Sequence, residues 1–169
     1  MAHAVFRSDL MSGTDVAADL VSLRFYNGTT SSATTADVDN CVIALLGELE
    51  TGEREIRKAS AAADDSDLAN CVVIATPEVM YDERLKNLDE FYNEAGTICR
   101  GYRLRQGNMF SVTADAFASS PTSLTVGTAL GIGSNGKIAT SVGSSKTTLG
   151  YLRAIETTSR YTYYVIEVA

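Results

Sequence analysis

Beyond Gly101 the chain is a succession of short apolar segments separated by turn residues, and this pattern constrains the fold more than anything else in the sequence. The segments are Tyr102 to Arg105, Met109 to Ala114, Leu124 to Ile132, Lys137 to Val142, Leu149 to Thr157 and Tyr161 to Val168. Successive side chains on a strand point to opposite faces, so segments this short can bury a face only by pairing with neighbours. Evenly spaced strands with almost no helical period predict a small closed barrel or sandwich.

The first half reads differently but also as β. Leu20 to Tyr26 has a strand pattern and leads into a Gly/Ser/Thr-rich loop from Asn27 to Thr35. Asn40 to Leu46 and Asn70 to Thr76 are continuous β-branched runs that share an Asn-Cys-Val start. Runs of this kind suit strands buried on both faces, and nothing around the shared start repeats, so they read as two neighbouring core strands. Ahead of Leu20 the apolar positions are isolated and carry no period, which predicts an extended arm that orders only against the body or a partner.

The two styles meet between Asn87 and Phe117. Asn87 and Glu90 have the spacing of a helix N-terminal capping box, and Leu88, Phe91, Tyr92 and Ala95 recur at helical spacing until Gly96. This predicts one short helix, docked on a sheet through its Leu88/Phe91/Tyr92 side because it is too short to stand alone. The expected fold class is therefore mainly β. It consists of two small β-barrel or sandwich subdomains joined by a short helix, with an extended N-terminal arm. The expected boundaries are an arm over 1–19, a first β-rich subdomain over 20–80, a helical linker over 81–101 and a C-terminal β-barrel subdomain over 102–169.

Charge divides at the same place. Residues 1–99 carry 7 basic and 18 acidic side chains, whereas residues 100–169 carry 7 basic and 3 acidic, within a total of -7. Seven dispersed basic residues do not make the concentrated positive face that nucleic acid requires. No apolar run reaches the roughly 18 to 20 residues of a membrane helix, and the N-terminus lacks the layout of a signal peptide, so the expectation is folding in a cytoplasm with no membrane partner. Asn27-Gly28-Thr29 then reads as a turn rather than a glycosylation acceptor. Three scattered cysteines, Cys41, Cys71 and Cys99, and one histidine, His3, do not form a metal-ligand pattern, and no metal or other cofactor is expected.

Two further motifs have stronger structural than chemical readings. Gly131-Ile132-Gly133-Ser134-Asn135-Gly136 spells the glycine fingerprint of dinucleotide sites, but a strand-like segment follows where a helix is needed, and Asn135-Gly136 signals a hairpin turn. Asp64, Asp65 and Asp67 lack the glycine and terminal glutamate of a calcium loop and read as a solvated surface loop. No nucleophile elbow is present, and the expectation is a protein that is not an enzyme. A hydrolase built on a carboxylate pair is the reading that activity assays on glycans and peptides would test.

Arg100, Arg103 and Arg105 form a basic cluster with no acid between Glu94 and Asp115. It reads either as a solvated strand face or as a docking patch for an acidic partner surface, with Arg103 and Arg105 on one face. Alternation places Tyr161 and Tyr163 on one side of the last strand and Tyr164 on the other, so one set is core and the other surface or interface.

The strings NLDEFYNEAG, RGYRL, FSVTADAF and YTYYVIEV, preceded by GEREIRKA and VVIATPEVMYDERLKN, resemble the capsid decoration (cement) proteins of tailed bacteriophages over most of Leu20 to Ala169. The resemblance implies a non-enzymatic virion protein on the outer capsid surface. It implies a major capsid protein as partner and a homo-oligomer, with a trimer favoured, and multivalent contacts that slow capsid opening. Under it, Arg100, Arg103 and Arg105 are candidate capsid-docking residues, and Phe6, Tyr161 and Tyr163 are candidate oligomer or capsid contacts. The alternative is a head-fibre or adhesin-like module that presents loops such as Asn27 to Thr35 to a host glycan or receptor.

Overall fold

A computed structural model describes residues 3–6, 19–28, 33–79 and 88–169, and the statements that follow concern those residues. Their strands are β1 (Leu20–Asn27), β2 (Thr34–Thr35), β3 (Ile43–Leu49), β4 (Ile56–Ala61), β5 (Cys71–Ile74), β6 (Cys99–Arg103), β7 (Met109–Val112), β8 (Ala129–Ile132), β9 (Ile138–Ala139), β10 (Thr148–Thr157) and β11 (Thr162–Val168). The protein is mainly β.

The first sheet closes on itself. β1 pairs in parallel with β4 and antiparallel with β6, and β4–β3, β3–β5 and β5–β6 complete a five-stranded ring, with β2 hung on the end of β1. Its interior holds Leu23, Val42, Ala44, Ala59, Val72, Ile74 and Cys99. A ring this narrow has little room: a Cβ added at Gly101 would lie 2.8 Å from Leu23 Cδ2 and 2.9 Å from Val72 Cγ2.

The second sheet is open, in the order β7-β11-β10-β8-β9, with every pairing antiparallel. Its inner face, including Phe110, Val112, Leu130, Leu152, Tyr164 and Ile166, forms one core cluster with Cys41, Ile43, Cys71 and Val73 from the outside of the barrel. β5, and β3 over its first residues Ile43 and Ala44, therefore have no wet face, since alternate residues fill the barrel and the others fill the space between the sheets. That explains why their sequences are continuously apolar. Burial of each large side chain in this seam is worth about 1.5 to 3 kcal/mol.

Two expectations change. The closed barrel lies in the first part of the chain, and the expected boundary between 101 and 102 falls inside β6, which closes that barrel. The C-terminal part is an open sheet that covers its apolar face with the barrel wall, so it has no need to close. The predicted helix is a single 3-10 turn at Leu88–Glu90. Asn93 then pairs with Val38 through both backbone groups, at 2.9 Å each way, and its side-chain amide donates to the Val38 carbonyl and Asn40 Oδ1. Backbone groups spent on that bridge cannot also close helical turns. Asn87, the capping residue of the expected helix, lies outside the described residues.

Residues 3–6 of the expected arm are held in the body. Ala4, Val5 and Phe6 are buried, Phe6 bridges Val112 beside β7, and the Val5 amide donates to Thr113 Oγ1. His3 stacks on Tyr92 at 5.1 Å and bonds Asp39 Oδ1 at 2.6 Å, which ties the barrel side to the edge of the second sheet. Residues 7–18 of the arm lie outside the described residues.

The glycine fingerprint is the β8–β9 hairpin. Asn135 and Gly136 both have positive φ, 55° and 70°, as the turn reading requires. Gly136 serves a second purpose: a Cβ there would sit 2.3 Å from the Ile43 carbonyl oxygen, so the hairpin tip presses against the barrel wall at β3.

Candidate functional site

The sequence cluster Arg100, Arg103 and Arg105 does not form one surface. Gly101 faces the barrel interior against Leu23 and Val72, so alternation sends Arg100 and Tyr102 outward and puts Arg103 on the opposite side, at the end of the ring. Arg100 is exposed. Arg103 Nη1 donates to the Ala69 carbonyl at 3.3 Å. β6 ends at Arg103, and Arg105 lies in the following loop, where its guanidinium pairs with the buried carboxylate of Asp19. The expectation that Arg103 and Arg105 share a strand face is corrected accordingly. Arg105 is first a counter-charge for Asp19 at the entry to β1.

The aromatic candidates also move inward. Phe6 is 5% exposed and stacks on Phe110 at 6.0 Å, which makes it a core residue and removes it from any contact surface. Tyr163 is buried, with its ring 6.0 Å from that of Tyr161, while Tyr164 turns to the inner core against Phe117. Tyr161 is half-buried, and its phenol is raised above the ordinary value, chiefly by burial and then by the nearby Asp89 carboxylate. Arg160 lies over the Tyr161 ring and 3.6 Å from Asp89 Oδ1, so the Leu88–Glu90 turn reaches the end of β11.

A more coherent surface lies on the outer face of the second sheet. Register places Met109, Glu167, Tyr151 and Ala129 in one row across β7, β11, β10 and β8. Met109 and Tyr151 are over a third exposed. The pairing of β10 with β11 shifts between Leu152 and Ala154, a bulge that takes Arg153 out of register. Arg153 Nε donates to Glu167 Oε2 at 2.6 Å, and its guanidinium lies 5.5 Å from the centroid of Tyr151. Beside the bulge the Gly127 amide donates to the Leu152 carbonyl at 2.7 Å, and the residue before it, Val126, is 62% exposed. Further along that face Ser111, Val165 and Tyr163 are buried.

An aromatic ring braced by an arginine on a stiff strand, with apolar neighbours, suits contact with another protein: Tyr and Arg bury area with few rotors to freeze. Among the described residues no three His, Cys, Asp or Glu side chains group in a way that could hold a metal ion, and no helix is long and apolar enough to cross a membrane. No protein family, curated protein or solved structure matches this chain. Sequence reading missed Tyr151 and Arg153. The usable signal was a tyrosine and an arginine flanking Leu152 in opposite phase to it, but the bulge that aims Arg153 has no mark of its own in the sequence.

Proposed function

We propose that this chain is a decoration protein of a tailed-phage head, which binds the outer capsid surface and bridges neighbouring major capsid protein subunits. The observation that carries the reading is the row Met109, Glu167 and Tyr151 with Arg153, an exposed aromatic and arginine patch on a sheet that shares its core with a closed barrel. The likeness of its sequence strings to cement proteins supplies the partner. A barrel and a sheet joined by a shared core cluster transmit load between two attachment points, which is the property a clamp needs. Oligomerisation, with a trimer favoured by the resemblance, multiplies weak contacts through effective concentration and slows capsid opening.

The test uses expanded empty heads of the phage that encodes the chain. The protein is expected to sediment with them saturably and to raise their thermal rupture temperature. Tyr151→Ala combined with Arg153→Ala is expected to weaken binding by roughly thirtyfold, the loss typical of one interface hot spot. Absence of binding together with an unchanged rupture temperature overturns the proposal.

A further inference from the structure

The outside of the barrel carries a groove of about 530 Å³ where β1, β4 and β3 run side by side, lined by Tyr26, Leu45, Gly47, Glu48, Lys58 and Ser60 among others. A register shift in β3 forms its floor: Leu46 pairs with Ala59 and Leu49 with Arg57, which leaves Gly47 and Glu48 out of the ladder opposite Lys58. Arg57 Nη1 donates to the Gly47 carbonyl at 3.0 Å and holds the bulge in place.

The aromatic wall is fixed from behind. The Tyr26 hydroxyl donates to Glu50 Oε1, the same carboxylate takes Arg24 Nη1 on Oε2, and Arg24 Nε donates to the Gly96 carbonyl at 3.0 Å. Glu50 is 8% exposed, so this anchor is largely out of water. The Tyr26 phenol is raised, first by its bond to Glu50, which keeps it a donor. The ring thus stands in a set orientation, with Lys58 Nζ 5.9 Å from its centroid.

Around that ring the polar capacity is unspent. Ser60 lines the groove, and its hydroxyl, which the groove leaves open to solvent, has no hydrogen-bond partner among the described residues. Among the same residues no ion pair joins Glu48 to Lys58, although the two flank one bulge. A hydroxyl that is open to the groove can both donate to and accept from a ligand that enters it.

A ligand for this groove must offer an apolar face to the tyrosine and both donors and acceptors around its rim. A phosphate meets the carboxylate of Glu48, and a flat apolar molecule makes no use of Ser60, Glu48 and Lys58. A pyranose has a C–H face for the ring and hydroxyls that donate to a carboxylate and accept from an ammonium. We propose that this groove is a saccharide site that seats one pyranose ring against Tyr26, with hydroxyls bonded to Ser60, Glu48 and Lys58. The site lies on the barrel, away from the second-sheet patch, and does not rest on the capsid reading.

The test applies the intact protein to a glycan array and titrates it with the methyl pyranosides of glucose, galactose, mannose and N-acetylglucosamine by saturation-transfer NMR. At least one sugar is expected to bind saturably, with strongest transfer to protons of one ring face. Ser60→Ala and Lys58→Met are each expected to weaken that binding by about fivefold, the usual effect of one lost hydrogen bond. Tyr26→Ala is expected to abolish the transfer, and an unchanged amide spectrum outside the groove establishes that the variant is folded. Binding by none of the sugars or array glycans overturns the proposal, as does binding that neither Ser60→Ala nor Lys58→Met alters.

Discussion

The barrel and the open sheet solve the same burial problem in opposite ways. The barrel closes, fills a narrow interior with Leu23, Ala44, Ala59 and Val72, and then uses the outside of β3 and β5 as one wall of a second core. The open sheet never closes, because that wall already covers its inner face. The difference explains where free surface remains: on the barrel it is the polar side around Glu48 and Lys58, and on the sheet it is the outer row with Tyr151 and Arg153. It also implies that the open sheet does not hold its core without the barrel.

The sharpest way to break that dependence is at the hairpin tip. Gly136→Ala places a Cβ against the Ile43 carbonyl at a positive φ, and a loss of about 3 to 4 kcal/mol is expected in urea denaturation. A loss below 1 kcal/mol would show that the tip is not wedged against the barrel. Phe6→Ala comes next, because the ring lies in the seam against Phe110, and about 3 kcal/mol is expected by the same measurement.

The thiols report the comparison from inside. Burial raises Cys71, in the shared core, and Cys99, in the barrel interior, from 9.0 to about 11, and burial also pushes the Cys41 thiol well up. The folded state thus keeps protons that the unfolded chain releases, so this stability is whole below pH 9 and is lost as pH rises from about 9 to about 11. At pH 10 the loss for these two thiols together is expected to be about 2 to 3 kcal/mol, measurable by chemical denaturation across that range. Alkylation at pH 8 is expected to modify Cys71 and Cys99 at one common rate, set by global opening. Earlier modification of Cys99 would mean that the barrel opens by itself.

The smallest effect separates two arginines that look alike in sequence. Arg105→Ala strands the buried Asp19 carboxylate and is expected to cost about 1 kcal/mol, moderated by the exposure of the arginine, whereas Arg100→Ala is expected to leave stability unchanged. Equal denaturation midpoints for the two variants would remove the structural role assigned to Arg105.

Much of the strand content was legible because it follows from local alternation and turn residues. β5 and β11 fall within apolar segments visible in the chain, β1, β3 and β10 overlap such segments and run past them, and the Asn135-Gly136 turn announced its hairpin. What local pattern could not convey was the pairing. The parallel contact of β1 with β4 and the assignment of β6 to the barrel depend on partners far along the chain. The helix expected from Leu88 to Ala95 yielded to tertiary pairing, since the bridge between Asn93 and Val38 takes backbone groups that a helix needs. The arginine cluster misled for a related reason: odd spacing from Arg100 to Arg103 reverses the face, and β6 stops before Arg105. Tyr151 and Arg153 depend on a bulge, which is a property of two strands together.

A reconstruction of decorated heads at side-chain resolution tests the central claim most directly. The account predicts Tyr151, Arg153 and Met109 buried against the major capsid protein, with the polar side of the barrel around Lys58 facing solvent. Density that places the barrel against the capsid and leaves the Tyr151 row in solvent would contradict it, as would heads that carry no such density at saturating protein.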